Sequence, residues 1–420
     1  MRRAAAALAL AAFAAACQAP GEDQVTIRLW ALGREGEDVR QLLPEFERRN
    51  PGVRVRVQQM PWTAAHEKLL TAFVGEATPD VSQLGNTWVP EFAALGALEP
   101  LGPWVARSAA TRMDDFFPGI WATNVVNDTL YGVPWYVDTR VLFYRKDILA
   151  RAGYARPPTT WAEWVAAMER MKALGGRADY PLLLPVEEWA QPVILGLQNG
   201  APLLREGGRY GAFSEPRFKR AFEFYVSLYR RGLAPVVASQ QVANPFQEFV
   251  RGGIAMWITG PWNIGEMRKR LPPELQDDWA TTPLPAPTPP GPGVSNAGGS
   301  SLVMFRGSRH KPEAWKLIEF LTASEQQRRF FHLNGDLPAR ESAWRDTALA
   351  GEAAARAFLE QLRRVQPMPK VPEWEQIASR VAQAAEQVVR GQRSTEAALA
   401  ALDRDVDAML EKRRWMLARR

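Results

Sequence analysis

The chain has 420 residues, 46% of them apolar and 23% charged, which is enough to bury a large core and too apolar for a disordered chain. A single cysteine, Cys17, excludes an internal disulfide framework and any multi-cysteine metal centre, and three histidines (His66, His310, His332) argue against a histidine-rich one. The formal charge of +6 is spread along the chain, so nucleic acid is not an expected partner, and the unusual count is sixteen tryptophans.

The first twenty residues read as a targeting segment. Met1-Arg2-Arg3 is a basic start, and 4–16 (AAAALALAAFAAA) is apolar and uncharged. That run is shorter than the roughly 20 residues that cross a bilayer and suits the core of a secretory signal. Ala14, Ala15 and Ala16 lead into Cys17, and 17–24 reads as a polar tether. The pattern resembles a bacterial lipobox, whose cysteine is diacylated and anchors the protein to a membrane. It departs from that pattern at Ala14, where leucine is more usual. The expectation is a signal peptide at 1–16, a lipid anchor at Cys17 and a body outside the cytoplasm, in the periplasm or on the outer face of the cell membrane. Ordinary cleavage of the signal is the alternative.

The body alternates strands and helices. Val25, Ile27 and Leu29 give 24–32 a period of two, a strand. Val39, Leu42, Leu43 and Phe46 predict a helix over 37–50, stopped by Asn50-Pro51-Gly52. A second strand over 53–57, a helix over 64–77 and a strand over 79–84 follow, so this part reads as a parallel, doubly wound sheet. Further strands are expected at 140–144, 254–259 and 300–305, and helices at 161–174, 218–231 and 313–331. Six prolines within 283–293 make that segment a stiff surface connection. The tail reads as two helices, one carrying Trp374, Ile377, Val381 and Val388, ended by Gly391, the next capped by Ser394.

No GxSxG elbow, P-loop or GxGxxG follows a strand, and His66-Glu67 lacks a second histidine at Leu70. A carboxylate pair for glycoside hydrolysis leaves no sequence spacing, so a secreted glycan-active enzyme is a minor alternative. The tryptophans divide by context. Trp161, Trp164, Trp257 and Trp315 fall within element patterns and read as core. Trp62, Trp88, Trp135 and Trp262 stand after a strand or beside a turn, near Tyr136, Asn86, Asp138 and Arg140. In open α/β sheets ligands bind at the carboxyl ends of strands. Flat apolar faces beside fixed hydrogen-bonding groups suit a sugar, whose ring has a C–H face and hydroxyl edges. Arg34, Arg140 and Arg340 serve a phosphate or carboxylate equally well, so a polyol or a phosphorylated solute such as glycerol phosphate stays open.

Seven segments resemble, in order and spacing, the extracellular solute-binding proteins of ABC importers, family 1, the sugar-binding lipoproteins. They are LLPEFERRNPGVRVRVQQMPW (42–62), TPDVSQLGNTWVPEFAALGALEPL (78–101), YGVPWYVDTRVLFYRKDIL (131–149), PPTTWAEW (157–164), FVRGGIAMWITGPWNIG (249–265), AGGSSLVMF (297–305) and KPEAWKLIEFLTASEQQRRF (311–330). The resemblance implies an α/β protein of two doubly wound lobes joined by a hinge, like the type II periplasmic binding proteins, with a C-terminal helical segment. It places 25–137 and 295–340 in the N-terminal lobe and 138–294 and 341–420 in the C-terminal lobe. It implies ligand contacts at Arg34, Glu35, Asn86, Trp88, Trp135, Tyr136, Asp138, Trp262, Gly298, Gly299, Arg340, Glu373 and Trp374. Its partners are an ABC permease and a small solute, with a sensor role as a variant. It implies a monomer with no cofactor, metal or catalytic residue.

Overall fold

The computed structural model describes residues 24–175 and 180–418. The expected signal, Cys17 and the tether up to residue 23 lie outside the described residues. Among those described, no helix is long and apolar enough to cross a membrane.

Val25–Leu32, Val53–Met60 and Val81–Gly85 are parallel strands, with Val25–Leu32 between the other two. Alternation does its work in the first: Ile27 and Leu29 are buried while Thr26 and Arg28 are exposed. The helix expected over 37–50 is divided into Glu35–Asp38, a 3-10 turn at Val39–Gln41, and Leu43–Arg49. Pro44 has no N–H for the carbonyl four residues back, so a continuous α-helix loses a bond there. The helix expected over 313–331 is likewise two, Lys311–Thr322 and Ser324–Asn334, because Ala323 is extended (φ −63°, ψ 144°).

The first sheet gains three antiparallel members. Gly298–Met304 pairs with Val81–Gly85 on one side and Gly132–Asp138 on the other, and Leu337–Pro338 closes the edge. The second sheet runs Trp279–Thr282, Val141–Arg145, Met256–Thr259, Leu182–Leu183. Only its last pair is parallel, so parallel winding is concentrated in the first three strands of the chain. The tail helices Trp374–Val389 and Thr395–Met409 pack Ile377, Val381, Leu399 and Leu402 into one buried cluster with Phe218 and Phe222. Ser394 caps as read, its Oγ accepting from the Ala397 N–H at 3.2 Å.

Three segments run side by side where the chain passes between the sheets. The Thr139 hydroxyl donates to the Asn296 carbonyl at 2.8 Å, and the Ser295 hydroxyl to the Arg140 carbonyl at 3.0 Å. Ser295 N–H donates to Arg364 O at 3.0 Å and Ala297 N–H to Gln366 O at 2.8 Å. The result is an α/β fold of two lobes, each on its own sheet, tied by hydrogen-bonded crossing segments and a shared buried apolar cluster.

Candidate functional site

A cavity of about 380 Å³ opens where the carboxyl ends of the three parallel strands face the second lobe. Each strand delivers side chains to it on leaving the sheet: Glu35 after Val25–Leu32, Trp62 after Val53–Met60, Asn86 and Trp88 after Val81–Gly85. Gly132–Asp138 contributes Tyr136 and Asp138, and Asp336 stands just before Leu337–Pro338. The second lobe contributes Trp189, at the start of the Ala190–Gln198 helix, and Trp262, which opens the Trp262–Arg270 helix.

Local sequence explains two of these placements. The Trp262 ring folds back over Gly260, where a Cβ would stand 2.0 Å from it, so the Gly-Pro-Trp order lets the indole turn toward the cavity. At Gly299 φ is +126° and a Cβ would meet the Tyr136 carbonyl at 2.3 Å. Gly298 is confined the same way, 2.6 Å from the Asp138 carbonyl. Both glycines line the cavity, but it is the neighbouring strand that demands them.

The first-lobe wall is a hydrogen-bonded network. The Tyr136 hydroxyl donates to Glu35 Oε1 at 2.7 Å and accepts from Gln83 Nε2 and Ser300 Oγ, each at 3.0 Å. Asn86 is fixed by its Nδ2 donating to the Ala297 carbonyl at 3.1 Å and its N–H to Gly299 O at 3.0 Å. Trp62 and Trp88 meet edge to face, centroids 5.6 Å apart, and His66 supports Trp88 at 5.1 Å. His66 Nε2 lies 2.6 Å from Glu91 Oε2, and this bond raises its pKa above the ordinary imidazole value. Arg140 pairs with Asp138 and lies over the Trp262 face, 4.7 Å from the centroid. Burial raises the carboxyl pKa of Glu35 and Asp138, against the Tyr136 bond in the first and the Arg140 charge in the second.

Of the residues the sequence singles out, Glu35, Trp62, Asn86, Trp88, Tyr136, Asp138, Trp262, Gly298 and Gly299 line this cavity. Five others stand elsewhere. Trp135 is fully buried and stacks on Phe330 at 4.5 Å, because successive strand residues point to opposite faces and Tyr136 takes the cavity side. Arg340 is buried against the helix break: its Nε donates to the Thr322 carbonyl at 2.6 Å and its Nη1 to Asp115 at 3.2 Å. Arg34 pairs with Asp38 at the surface. Trp374 is buried behind Trp189, ring centroids 5.6 Å apart, and Glu373 holds the N-cap position of that helix. Trp189 and Asp336 belong to the cavity and escape the sequence reading. Trp189 follows Glu187-Glu188 and opens a largely apolar helix, with no expected strand end just before it to mark it as a cavity residue. Asp336 follows an Asn-Gly turn, a local signal that marks a loop but not its direction.

Two lobes, hydrogen-bonded crossing segments and a cavity between them are the arrangement of a solute-binding protein. The family model for bacterial extracellular solute-binding proteins matches residues 30–328, and the chain belongs to that family. The solved sugar-binding protein MalE from Xanthomonas citri is 49% identical over 94% of this chain and 100% of that one, with a TM-score of 0.91. Maltose-bound MalE3 of T. maritima is 25% identical over 92% of this chain and 100% of its own, TM-score 0.78. The diacetylchitobiose binding protein DasA of Streptomyces coelicolor is 26% identical over 83% of this chain and 81% of its own length. The protein is an extracytoplasmic solute-binding protein with the fold of the periplasmic binding proteins.

Proposed function

We propose that this protein captures a sugar between its lobes and delivers it to the permease of an ABC importer, with a maltose-type disaccharide as the ligand class. The observation that carries the reading is the set of four indoles around one cavity, Trp62 and Trp88 from the first lobe, Trp189 and Trp262 from the second. Indole faces take the C–H faces of sugar rings out of water, while Asn86, Asp138 and Glu35 offer polar groups to the hydroxyls. The likeness to MalE over nearly the whole chain supports the maltose class.

A ligand that touches both lobes binds the closed arrangement better than the open one and shifts the population toward it. No bond in the solute is made or broken. A signal at 1–16, acylation at Cys17 and a monomeric body complete the reading. Calorimetry with maltose, maltotriose, diacetylchitobiose and galactobiose tests it. At least one sugar is expected to bind with a dissociation constant at or below about 1 μM. Silence across every sugar, with binding of another solute class, removes the sugar and leaves the transport role. In a bacterial host, Cys17→Ala is expected to move the protein from the membrane to the soluble fraction; unchanged membrane retention overturns the anchor.

A further inference from the structure

We infer that the cavity selects its ligand by charge: Asp336, standing with Glu35 and Asp138 on the first-lobe wall, accepts donors from a neutral or ammonium-bearing sugar and turns away anionic solutes such as sugar phosphates and uronates. This rests on the sugar-binding reading above and narrows it.

All three carboxylates line the cavity, and the chain satisfies them unequally. Asp138 has the Arg140 guanidinium, and Glu35 accepts the Tyr136 hydroxyl. The Asp336 backbone N–H bonds to Asn334 Oδ1 at 2.9 Å, but among the described residues no donor reaches its carboxylate. Its lone pairs are left for what enters the cavity, and a hydroxyl or ammonium donating there makes a charge-assisted bond.

No compensating cation is in place for an anion. Arg140 is the one basic side chain on the cavity lining described, and it already holds Asp138 and covers the Trp262 face. The other two arginines that the sequence offers for a phosphate are turned to different work. Arg34 bonds Asp38 and the Leu333 carbonyl; Arg340 bonds the Thr322 carbonyl and Asp115. Three acidic side chains face one guanidinium that is already engaged, and Arg34, outside the lining, acts on Asp336 only through space, so the wall offers an entering anion no cation of its own. The crowding is felt within the protein: burial, then the charges of Glu35 and Asp138, hold the Asp336 carboxyl well above its ordinary value. Among the described residues no three His, Cys, Asp or Glu side chains are set to hold a metal ion that would reverse this sign. A phosphate or carboxylate entering adds a further negative charge beside a half-buried acidic cluster open to the cavity, a repulsion that added salt screens in part.

The test titrates wild type, Asp336→Asn and Glu35→Gln with matched pairs: maltose and maltose 1-phosphate, trehalose and trehalose 6-phosphate, N-acetylglucosamine and glucosamine. Each variant is near-isosteric, and its fold is checked by thermal unfolding. In wild type the neutral member of a phosphate pair is expected to bind at least roughly tenfold tighter than its phosphorylated partner, a gap that narrows with added salt and in Asp336→Asn. Glucosamine is expected to bind no weaker than its acetylated partner, and to lose more affinity than it in Asp336→Asn. Phosphorylated sugars binding as tightly as neutral ones overturn the inference and leave sugar binding intact. So does a gap that neither salt nor Asp336→Asn alters, which marks exclusion by size. Absence of binding by every sugar, neutral or charged, overturns the inference together with the function on which it rests.

Discussion

On the first-lobe wall of the cavity, Tyr136, Glu35, Gln83 and Ser300 are bonded to one another before any solute arrives. The second-lobe wall presents Trp262, 43% exposed, and Trp189, with Arg140 lying on the former. The polar part of the first wall grows from strand ends inside a sheet, with Trp62 and Trp88 standing beside it. The second wall carries no such hydrogen-bonded network: it presents two indoles at the starts of helices, Trp262 exposed and Trp189 half-buried. A preorganised polar wall loses little ordering entropy on binding and so reads hydroxyls, whereas exposed indoles gain most by being covered. On the sugar reading proposed above, hydroxyl recognition is expected chiefly from the first lobe and a large part of the drive for closure from Trp262 on the second.

Substitutions sharpen that contrast. Trp135→Ala, in the core behind Tyr136, is expected to cost about 3–5 kcal/mol of stability in denaturant unfolding. Trp262→Ala is expected to leave the unfolding midpoint unchanged and weaken sugar binding by about 1.5–3 kcal/mol in calorimetry, the worth of covering an aromatic face. If Trp262→Ala instead destabilises the fold and spares affinity, the two walls are not distinct. Tyr136→Phe removes the hydroxyl that joins Glu35 to Gln83 and Ser300, and is expected to cost about 1–3 kcal/mol of stability as those groups lose a partner.

The acidic side of the contrast has a pH signature. A carboxyl whose pKa is raised by folding favours the folded state while protonated. Its contribution is therefore present at low pH and is lost as pH rises from the unfolded value of about 3.9 through the folded one. Asp336 is such a group. Asp336→Asn is expected to gain stability relative to wild type across that window and to keep the gain at neutral pH, measured by unfolding at a series of pH values. A difference that shrinks as pH rises contradicts it. The smallest effect belongs to Arg34→Ala, an exposed ion pair outside the cavity. It is expected to change stability by about 0–1 kcal/mol and affinity not at all.

Much of this architecture is legible in the residues. The period of two in Val25–Leu32 and the strand expected over 79–84 are observed close to their expected bounds, the second strand runs three residues past its expected end to Met60, and Trp62, Asn86 and Trp88 follow the strand ends. What stays hidden depends on parity and on contacts between distant segments. Trp135 and Tyr136 are adjacent in a segment that reads as a turn; in a strand one must face inward, and only the sheet decides which. Arg340 serves a carbonyl freed by a helix break at Ala323, which no Gly or Pro announces. Trp189 reaches the cavity through the packing of its helix on Trp374, nearly two hundred positions later in the chain.

Trp262, the exposed indole of the second lobe, is expected to close over a sugar whose polar wall is already built. Calorimetric titration of wild type and Trp262→Ala with maltose, alongside thermal unfolding of both, tests it most directly. Saturable binding at or below about 1 μM is expected for wild type, at least roughly tenfold weaker binding for the variant, and equal unfolding temperatures for both. Equal affinities in the two proteins, or no heat from the wild type with maltose or any other sugar of the panel, would contradict it.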